Sequence, residues 1–309
     1  MKELLTLFTS PKPFTDPHIS LIQRNAIQSW VELGDEVQVI LMGDESGVAE
    51  VANELGVLHI PQVKRNSSGT PLLSSLFTQA REASTSPILA FANADILFFH
   101  DFLVAAKQIN NLTKCFLAVG QRWDMEVNNP IAFTQNWQKE ILAQCDRIGK
   151  MHKPTGSDYF IYSRSSFPKI PDFAIGRAGW DNWMLYEARQ RGWMLIDATQ
   201  SIRIIHQSHD YSHLPDGQPH YHLPETYENV RLAGGKRHIF LLQDADWQFD
   251  QGKLERRKLS RKKFWRELEI FPLIRLHSEV LGNLSFAIFH PRKAYDEFSK
   301  SKSEKSGLE

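Results

Sequence analysis

SPILAFANADILFFH (residues 86–100) reads as a buried strand whose apolar run breaks in the middle, at Asn93 and Asp95. Residues i and i+2 of an extended chain project to the same side. The pair can therefore present an amide and a carboxylate together at a strand end. Asn and Asp are also common in plain strand-to-loop turns, so the neighbouring segments decide between a turn and a site.

Upstream, strand-like and helix-like segments alternate. LLTLF (4–8) reads as a first strand ended by SPKPFTDP, and HISLIQRNAIQSWVEL as a helix stopped by Gly34. EVQVILMGD is a second strand, GVAEVANELGV a helix, LHIPQV a short strand and GTPLLSSLFTQAREAS a third helix. Near-continuous apolar strands alternating with helices predict an α/β fold: a Rossmann-like, mostly parallel mixed sheet with helices on both faces. Ligands of such sheets bind beyond the carboxyl ends of the strands. SPKPF, Gly43-Asp44 and Asn93-Ala94-Asp95 all fall at such ends and are expected on one rim. Downstream, CFLAVGQRWD, DYFIYSR and MLIDAT read as strands of a mixed second half, GWDNWMLYEARQRG as a helix, and SIRIIHQSHDYSH as a His-dense loop.

Composition narrows the classes. The 309 residues hold 36 basic and 36 acidic side chains, so global charge gives no case for a nucleic-acid partner. Cys115 and Cys145 lack CxxC or zinc-ligand spacing and are expected as free thiols in a reducing compartment. The first 14 residues are too short and too broken by Lys and Pro to read as a secretory signal, and no long apolar run exists, so a cytoplasmic protein is expected. From residue 251 onward Lys plus Arg outnumber Asp plus Glu by 14 to 8, the reverse of the balance before it. The expected division is a catalytic domain over 1–250 and a basic helical extension over 251–309, its last ten residues disordered. A helix packed over the main domain is the plainer expectation for that extension; peripheral contact with the inner face of a membrane is the other.

Several side chains could carry chemistry. His206, His209, Asp210 and His213 follow an apolar strand. A carboxylate with imidazoles and water suits Mn²⁺ or Mg²⁺, and a nucleotide diphosphate would supply further oxygens. Loop hydrogen bonds are the alternative for each histidine. Asp181 begins a helix, where it could act as an N-cap worth about 1 kcal/mol or, between Trp180 and Trp183, as a proton acceptor beside an apolar wall for a sugar ring. Gly156, Ser157 and Asp158 form a turn that could approach a ligand or simply close a loop. Arg122 could neutralise a diphosphate or bridge to Asp124. GxSxG, Walker A and GxGxxG are all absent.

Taken in order, strand–SPKPF, strand–GD, strand–NAD, Gly turn, Trp-Asp helix and late His resemble the nucleotide-diphospho-sugar transferase superfamily, with the glycosyltransferase A-type fold, over about residues 3–245. The resemblance implies a metal-assisted glycosyltransferase that moves a sugar from a nucleotide-diphosphate donor to a glycan, lipid or small-molecule acceptor. It implies an Asp-x-Asp motif at Asn93-Ala94-Asp95, with Asn replacing the first acid and Asp95 keeping the metal. It also implies nucleotide contacts at Thr9, Ser10 and Asp44, a glycine loop at Gly156-Ser157-Asp158, an inverting base at Asp181, and a metal-binding His at His206 with His209 as its competitor. Two other classes share the sheet: a catalytically silent binding or scaffold protein, to which Asn93 points, and a sugar-phosphate nucleotidyltransferase, which would want a Gly-rich loop where SPKPFTDP stands.

Overall fold

The computed structural model describes residues 3–209 and 223–306, with side chains described to residue 299. In the first half β1 (Leu5–Thr9), α1 (Pro17–Val31), β2 (Val37–Met42), α2 (Val48–Leu55), β3 (Leu58–Ile60), α3 (Leu73–Glu82) and β4 (Ile88–Ala92) alternate as expected. Asp16 caps α1, its carboxylate accepting from Ile19 N at 2.8 Å ahead of Pro17, which suits the first helical turn. Then follow β5 (Ile96–Leu97), α4 (His100–Leu112), β6 (Phe116–Val119), β7 (Trp123–Met125), α5 (Trp137–Ile148), β8 (Lys150–Met151) and β9 (Tyr159–Ser163). The chain continues through α6 (Trp180–Gln190), β10 (Met194–Asp197), β11 (Ile205–Gln207), α7 (Pro224–Leu232), β12 (Trp247–Asp250) and β13 (Lys253–Arg256). It closes with α8 (Arg261–Arg275), α9 (Glu279–Phe289) and α10 (Pro291–Ser306).

Nine strands form one sheet in the order β13-β12-β10-β6-β9-β4-β1-β2-β3. β1, β2, β3 and β4 pair in parallel, as do β6, β10 and β12. β9 runs antiparallel between β4 and β6. Strict alternation splits its side chains between two cores. Leu5, Leu7, Val39, Leu41, Ile88 and Ala90 enter one, while Phe8, Ile40, Met42, Leu89 and Phe91 enter the other. Helices cover both faces, α1 and α4 packing into the first core and α3 and α6 into the second. The expected mostly parallel α/β architecture is observed.

The sequence reading did not separate out a second sheet, β5-β11-β7-β8. Its apolar side, with Leu97, Met125 and Ile205, packs on Trp137 and Cys145 of α5 in a core of its own. CFLAVGQRWD is thus two strands in two sheets, and SIRIIHQ ends in a strand rather than a loop. Gly120 lies at the break. A Cβ there would come within 2.4 Å of the Tyr159 hydroxyl and 3.2 Å of Thr199 N, so the chain can leave the large sheet this tightly only through glycine.

The boundary expected at 250/251 falls in the turn of the β12–β13 hairpin, an edge of the large sheet. The sheet therefore runs to Arg256 and the helical extension starts at Arg261, where Ser260 caps α8 through Lys263 N. Trp247, Phe249 and Leu254 join the hairpin to the first core, which holds it to the sheet. α10 is described to Ser306, inside the stretch expected to be disordered, with no helix breaker among Lys, Glu and Ser there. Both cysteines are free thiols. Among the described residues no helix is long and apolar enough to cross a membrane.

Candidate metal and donor site

Asn93-Ala94-Asp95 is the joint between the two sheets. β4 ends at Ala92 in the large sheet and β5 begins at Ile96 in the small one. The polar interruption of the apolar run is the place where the chain changes sheets, at the rim formed by the carboxyl ends of β1, β2 and β4.

Register in the small sheet brings the charged groups together. β11 lies between β5 and β7, with His206 opposite Ile96 on one side and Asp124 on the other. Asp95 Oδ2 faces His209 Nε2 at 3.1 Å and His206 Nε2 at 3.8 Å. One ligand atom from each of Asp95, His206 and His209 lies within 4.8 Å of the others. Asp95 Oδ1 is buried with no hydrogen-bond partner among the described residues. A buried orphan oxygen beside two imidazoles fits a divalent cation, whose positive charge would satisfy it. Burial alone would raise the Asp95 pKa. The charge of His206, the bond and charge of His209 and the charge of Lys12 outweigh burial and hold the carboxylate well below its usual range.

His206 is held from behind. Asp124 accepts from Nδ1 of His206 at 3.0 Å and from Nδ1 of His152 at 2.8 Å, and Arg122 Nε donates to it at 2.9 Å. Burial opposes the ionisation of Asp124, but these three partners hold it well below the usual carboxylate range. An ionised carboxylate only accepts, so Nδ1 of His206 carries a proton toward Asp124, and Nε2 is the nitrogen on the Asp95 side that would face a bound cation. Carboxylate–imidazole–ion is the arrangement that fixes tautomer and ring in metal sites. We expect Asp124→Asn to weaken Mn²⁺ affinity by about ten- to a hundredfold, measured by titration calorimetry, and to lower stability at neutral pH, where the paired carboxylate favours the fold.

The sequence reading missed the holding role of Asp124, along with His152 and Lys12. Lys12, in the Pro-rich loop after β1, has its pKa lowered by burial, with the charge of Asp95 opposing. Asp210 and His213 lie outside the described residues.

Asp158 links this cluster to α6. Its Oδ1 accepts from Arg122 Nη1 at 2.7 Å and Asn93 Nδ2 at 3.0 Å, while its carbonyl accepts from Asn93 N at 2.9 Å. An Asp at 93 would set a second carboxylate against Asp158 at that distance. Asn avoids the repulsion and supplies a donor. Arg122 is therefore bridged to two carboxylates, Asp124, the partner expected from the sequence, and Asp158.

Asp181 lies in the first turn of α6, whose cap position is Gly179, with no side-chain cap. Its Oδ1 accepts from Gly179 N at 3.2 Å. Burial pushes its pKa up to about 6; backbone N–H groups oppose this, and the nearby charge of Asp158 adds to it. A carboxyl tuned to that range suits proton acceptance near neutral pH.

Other expected groups are placed differently. Trp180 and Trp183 are only 6% and 7% exposed and belong to the second core. Trp180 packs edge-on to Phe91 at 5.3 Å and tilted to Phe160 at 5.0 Å, and Trp183 packs on Phe173. They form no open wall for a sugar, because the helical spacing 180, 183, 184 points inward. Trp180→Ala is expected to cost about 3–5 kcal/mol of stability, read by urea denaturation. Gly156 has a Cβ's worth of open space and no left-handed backbone, so the turn at Pro154-Thr155 does not depend on it. Ser157 is buried beside Asp158. Thr9 is buried at the end of β1, with Ser10 following it at the rim. Asp44, on the same rim, is largely exposed and paired with Arg65.

No protein family matches the chain by sequence, and no curated protein does. Among solved structures it is similar to the mannosyltransferase PcManGT from Pyrobaculum calidifontis, in complex with GDP-Man and Mn²⁺. That match has 15% identity and a TM-score of 0.43, and covers 69% of this chain and 59% of the other. It is also similar to glucosyl-3-phosphoglycerate synthase from Mycobacterium tuberculosis, at 15% identity and a TM-score of 0.47, over 84% of this chain and 88% of the other. A further structure of that synthase, with Mg²⁺ and uridine diphosphate, matches at 15% identity and a TM-score of 0.45, over 84% and 87%. At this distance the likeness is one of outline. The functional reading rests on the chain's own rim.

Proposed function

We propose that the chain is a metal-assisted glycosyltransferase that takes a sugar from a nucleotide diphosphate and gives it to an acceptor hydroxyl. The observation that carries this is the Asp95–His206–His209 focus, with its orphan carboxylate oxygen, at the carboxyl-end rim of a mostly parallel sheet. Asp95, His206 and His209 would hold Mn²⁺ or Mg²⁺, the two imidazoles favouring the softer Mn²⁺. When bound, the ion would neutralise charge building on the departing diphosphate.

The chain's own groups would do the rest. His209 Nε2, 3.1 Å from Asp95 Oδ2, would turn its lone pair to the ion. Lys12, half-buried beside Asp95, would face the same diphosphate, and Thr9, Ser10, Asp44 and Asn93 would frame the nucleotide. Asp158 and Arg122 would fix the position of Asn93, and Ser157 and Gly156 would border the acceptor side. Asp181 would accept the acceptor's proton as its oxygen attacks the anomeric carbon from the face opposite the leaving group. The carbon–diphosphate bond breaks as the new bond forms, and configuration inverts. Asn93, which raised the silent-scaffold alternative, is explained by its donation to Asp158.

The test is thermal stability with nucleotide diphosphates and their sugars, each with and without Mn²⁺. A donor at a hundredfold excess over its Kd raises stability by about 2.7 kcal/mol. Slow release of nucleotide diphosphate from that donor without acceptor should accompany the shift. A shift without turnover would leave a binding protein; no shift with any nucleotide would end the proposal.

A further inference from the structure

α8 and α9 are packed tightly where they join and open at the far end. Near the joint a Cβ at Gly282 would meet Leu273 at 3.2 Å, and Ser285 Oγ donates to Glu269 O at 2.8 Å. Farther along, Trp265 and Phe289 meet only as tilted rings with centroids 6.1 Å apart. Here the two helices and residues 236–243 border a cavity of about 630 Å³, within the range of small-molecule sites. Its walls are apolar and aromatic, with Ile239, Leu241, Trp265, Ile270, Phe286 and Phe289. None of the donor-rim residues lines it.

Charge and apolar surface share this one cavity. Its lining holds eight Lys and Arg side chains against two acids, Asp244 and Glu269. Four of the cations are paired and belong to the frame. Arg266 bridges both of those acids, Lys263 pairs with Glu267, and Arg257 lies 3.5 Å from Asp197. Arg237 pairs with Glu297 and lies over the Phe286 ring at 3.4 Å. The other four, Lys236, Lys258, Lys262 and Lys293, are exposed and have no ion pair among the described residues. Lys262 stands in the first turn of α8, whose positive dipole end adds to their field. We infer that the cavity binds an anionic amphiphile, an apolar chain or ring that ends in a phosphate or carboxylate. An uncharged apolar ligand would gain nothing from the lysines, and a bare anion nothing from the rings. The inference stands apart from the glycosyltransferase reading.

The test is titration calorimetry of the full chain, without added metal, against monomeric decyl phosphate, decanol and inorganic phosphate. Decyl phosphate is expected to bind at least about tenfold more tightly than either of the others, and more weakly as salt rises. Lys236→Gln/Lys258→Gln/Lys262→Gln/Lys293→Gln changes only exposed side chains and should cost about tenfold in that affinity, with an unchanged circular dichroism spectrum. Val280→Ser/Leu284→Ser/Ile288→Ser alters the outer side of α9, whose side chains do not line the cavity, and should leave the affinity as it was. Co-sedimentation with phosphatidylglycerol vesicles separates the sources of the ligand. Sedimentation that the lysine variant loses assigns the acidic head to a bilayer lipid, and no sedimentation assigns it to a free molecule. The inference is overturned if decyl phosphate does not bind, if decanol or phosphate binds as well, or if the serine variant rather than the lysine variant loses the binding.

Discussion

Asp181→Asn is expected to abolish sugar transfer and, at the same time, to make the protein more stable at neutral pH. The two results have one cause. Asp181 is partly buried at the start of α6, and burial leads the influences that lift its pKa from 3.8 to about 6. A folded-state pKa above the unfolded one means that folding favours the protonated form. The associated stability is full below the unfolded value near 4 and is lost as pH rises through about 6. At pH 7 the wild type therefore carries an ionised group that the fold disfavours, by up to ~3 kcal/mol at 1.36 kcal/mol per unit. Asn keeps the acceptor for Gly179 N and removes the charge. Chemical denaturation should show the variant ahead at pH 7 and the gap closing by pH 4. Wild-type turnover at saturating donor should rise with pH through about 6, as a general base requires. Residual transfer near the wild-type rate in Asp181→Asn would remove the base assignment and with it the argument for inversion, leaving the donor site intact.

Asp95→Ala should erase every metal-dependent effect of nucleotide. The side chain offers the orphan oxygen, and its other oxygen balances His206, His209 and, through space, Lys12. Its removal should eliminate the Mn²⁺-dependent stabilisation by donor, about 2.7 kcal/mol at a hundredfold excess over Kd. It also leaves buried basic groups uncompensated, so apo stability should fall by roughly 3 kcal/mol near neutral pH. The pH course runs opposite to that of Asp181. A folded pKa below the unfolded one gives stability that is present above about pH 4 and lost as pH falls toward the folded value. Thermal melts of wild type and variant should therefore converge in acid. A variant that retained the Mn²⁺-dependent shift would place the ion elsewhere.

The inner strands of the large sheet were legible because they are nearly continuous apolar runs, and local pattern suffices to find such strands; the polar edge hairpin β12–β13 was not. Asn93 and Asp95 were legible as an interruption, and His206 as the residue leaving an apolar segment. The small sheet was not, since β5, β7, β8 and β11 are two or three residues long and define themselves only by pairing with distant partners. That is why Asp124 read as a partner of Arg122 alone. Nothing local shows that 124 sits opposite 206. Trp180 and Trp183 misled for a related reason: aromatic residues beside an acid look alike whether they line a pocket or a core, and only the packing of α6 separates the two.

The same small sheet has a kinetic consequence. Its strands supply Asp124 and His206 and it begins one residue after Asp95, and its core is separate from the two cores of the large sheet. Small cooperative units of this kind open at lower free energy than the whole molecule. Each opening would scatter the cluster, so the lifetime of the assembled site is set by the opening rate of four short strands rather than by global unfolding. Amide exchange in β5, β7 and β11 then becomes a clock for the site.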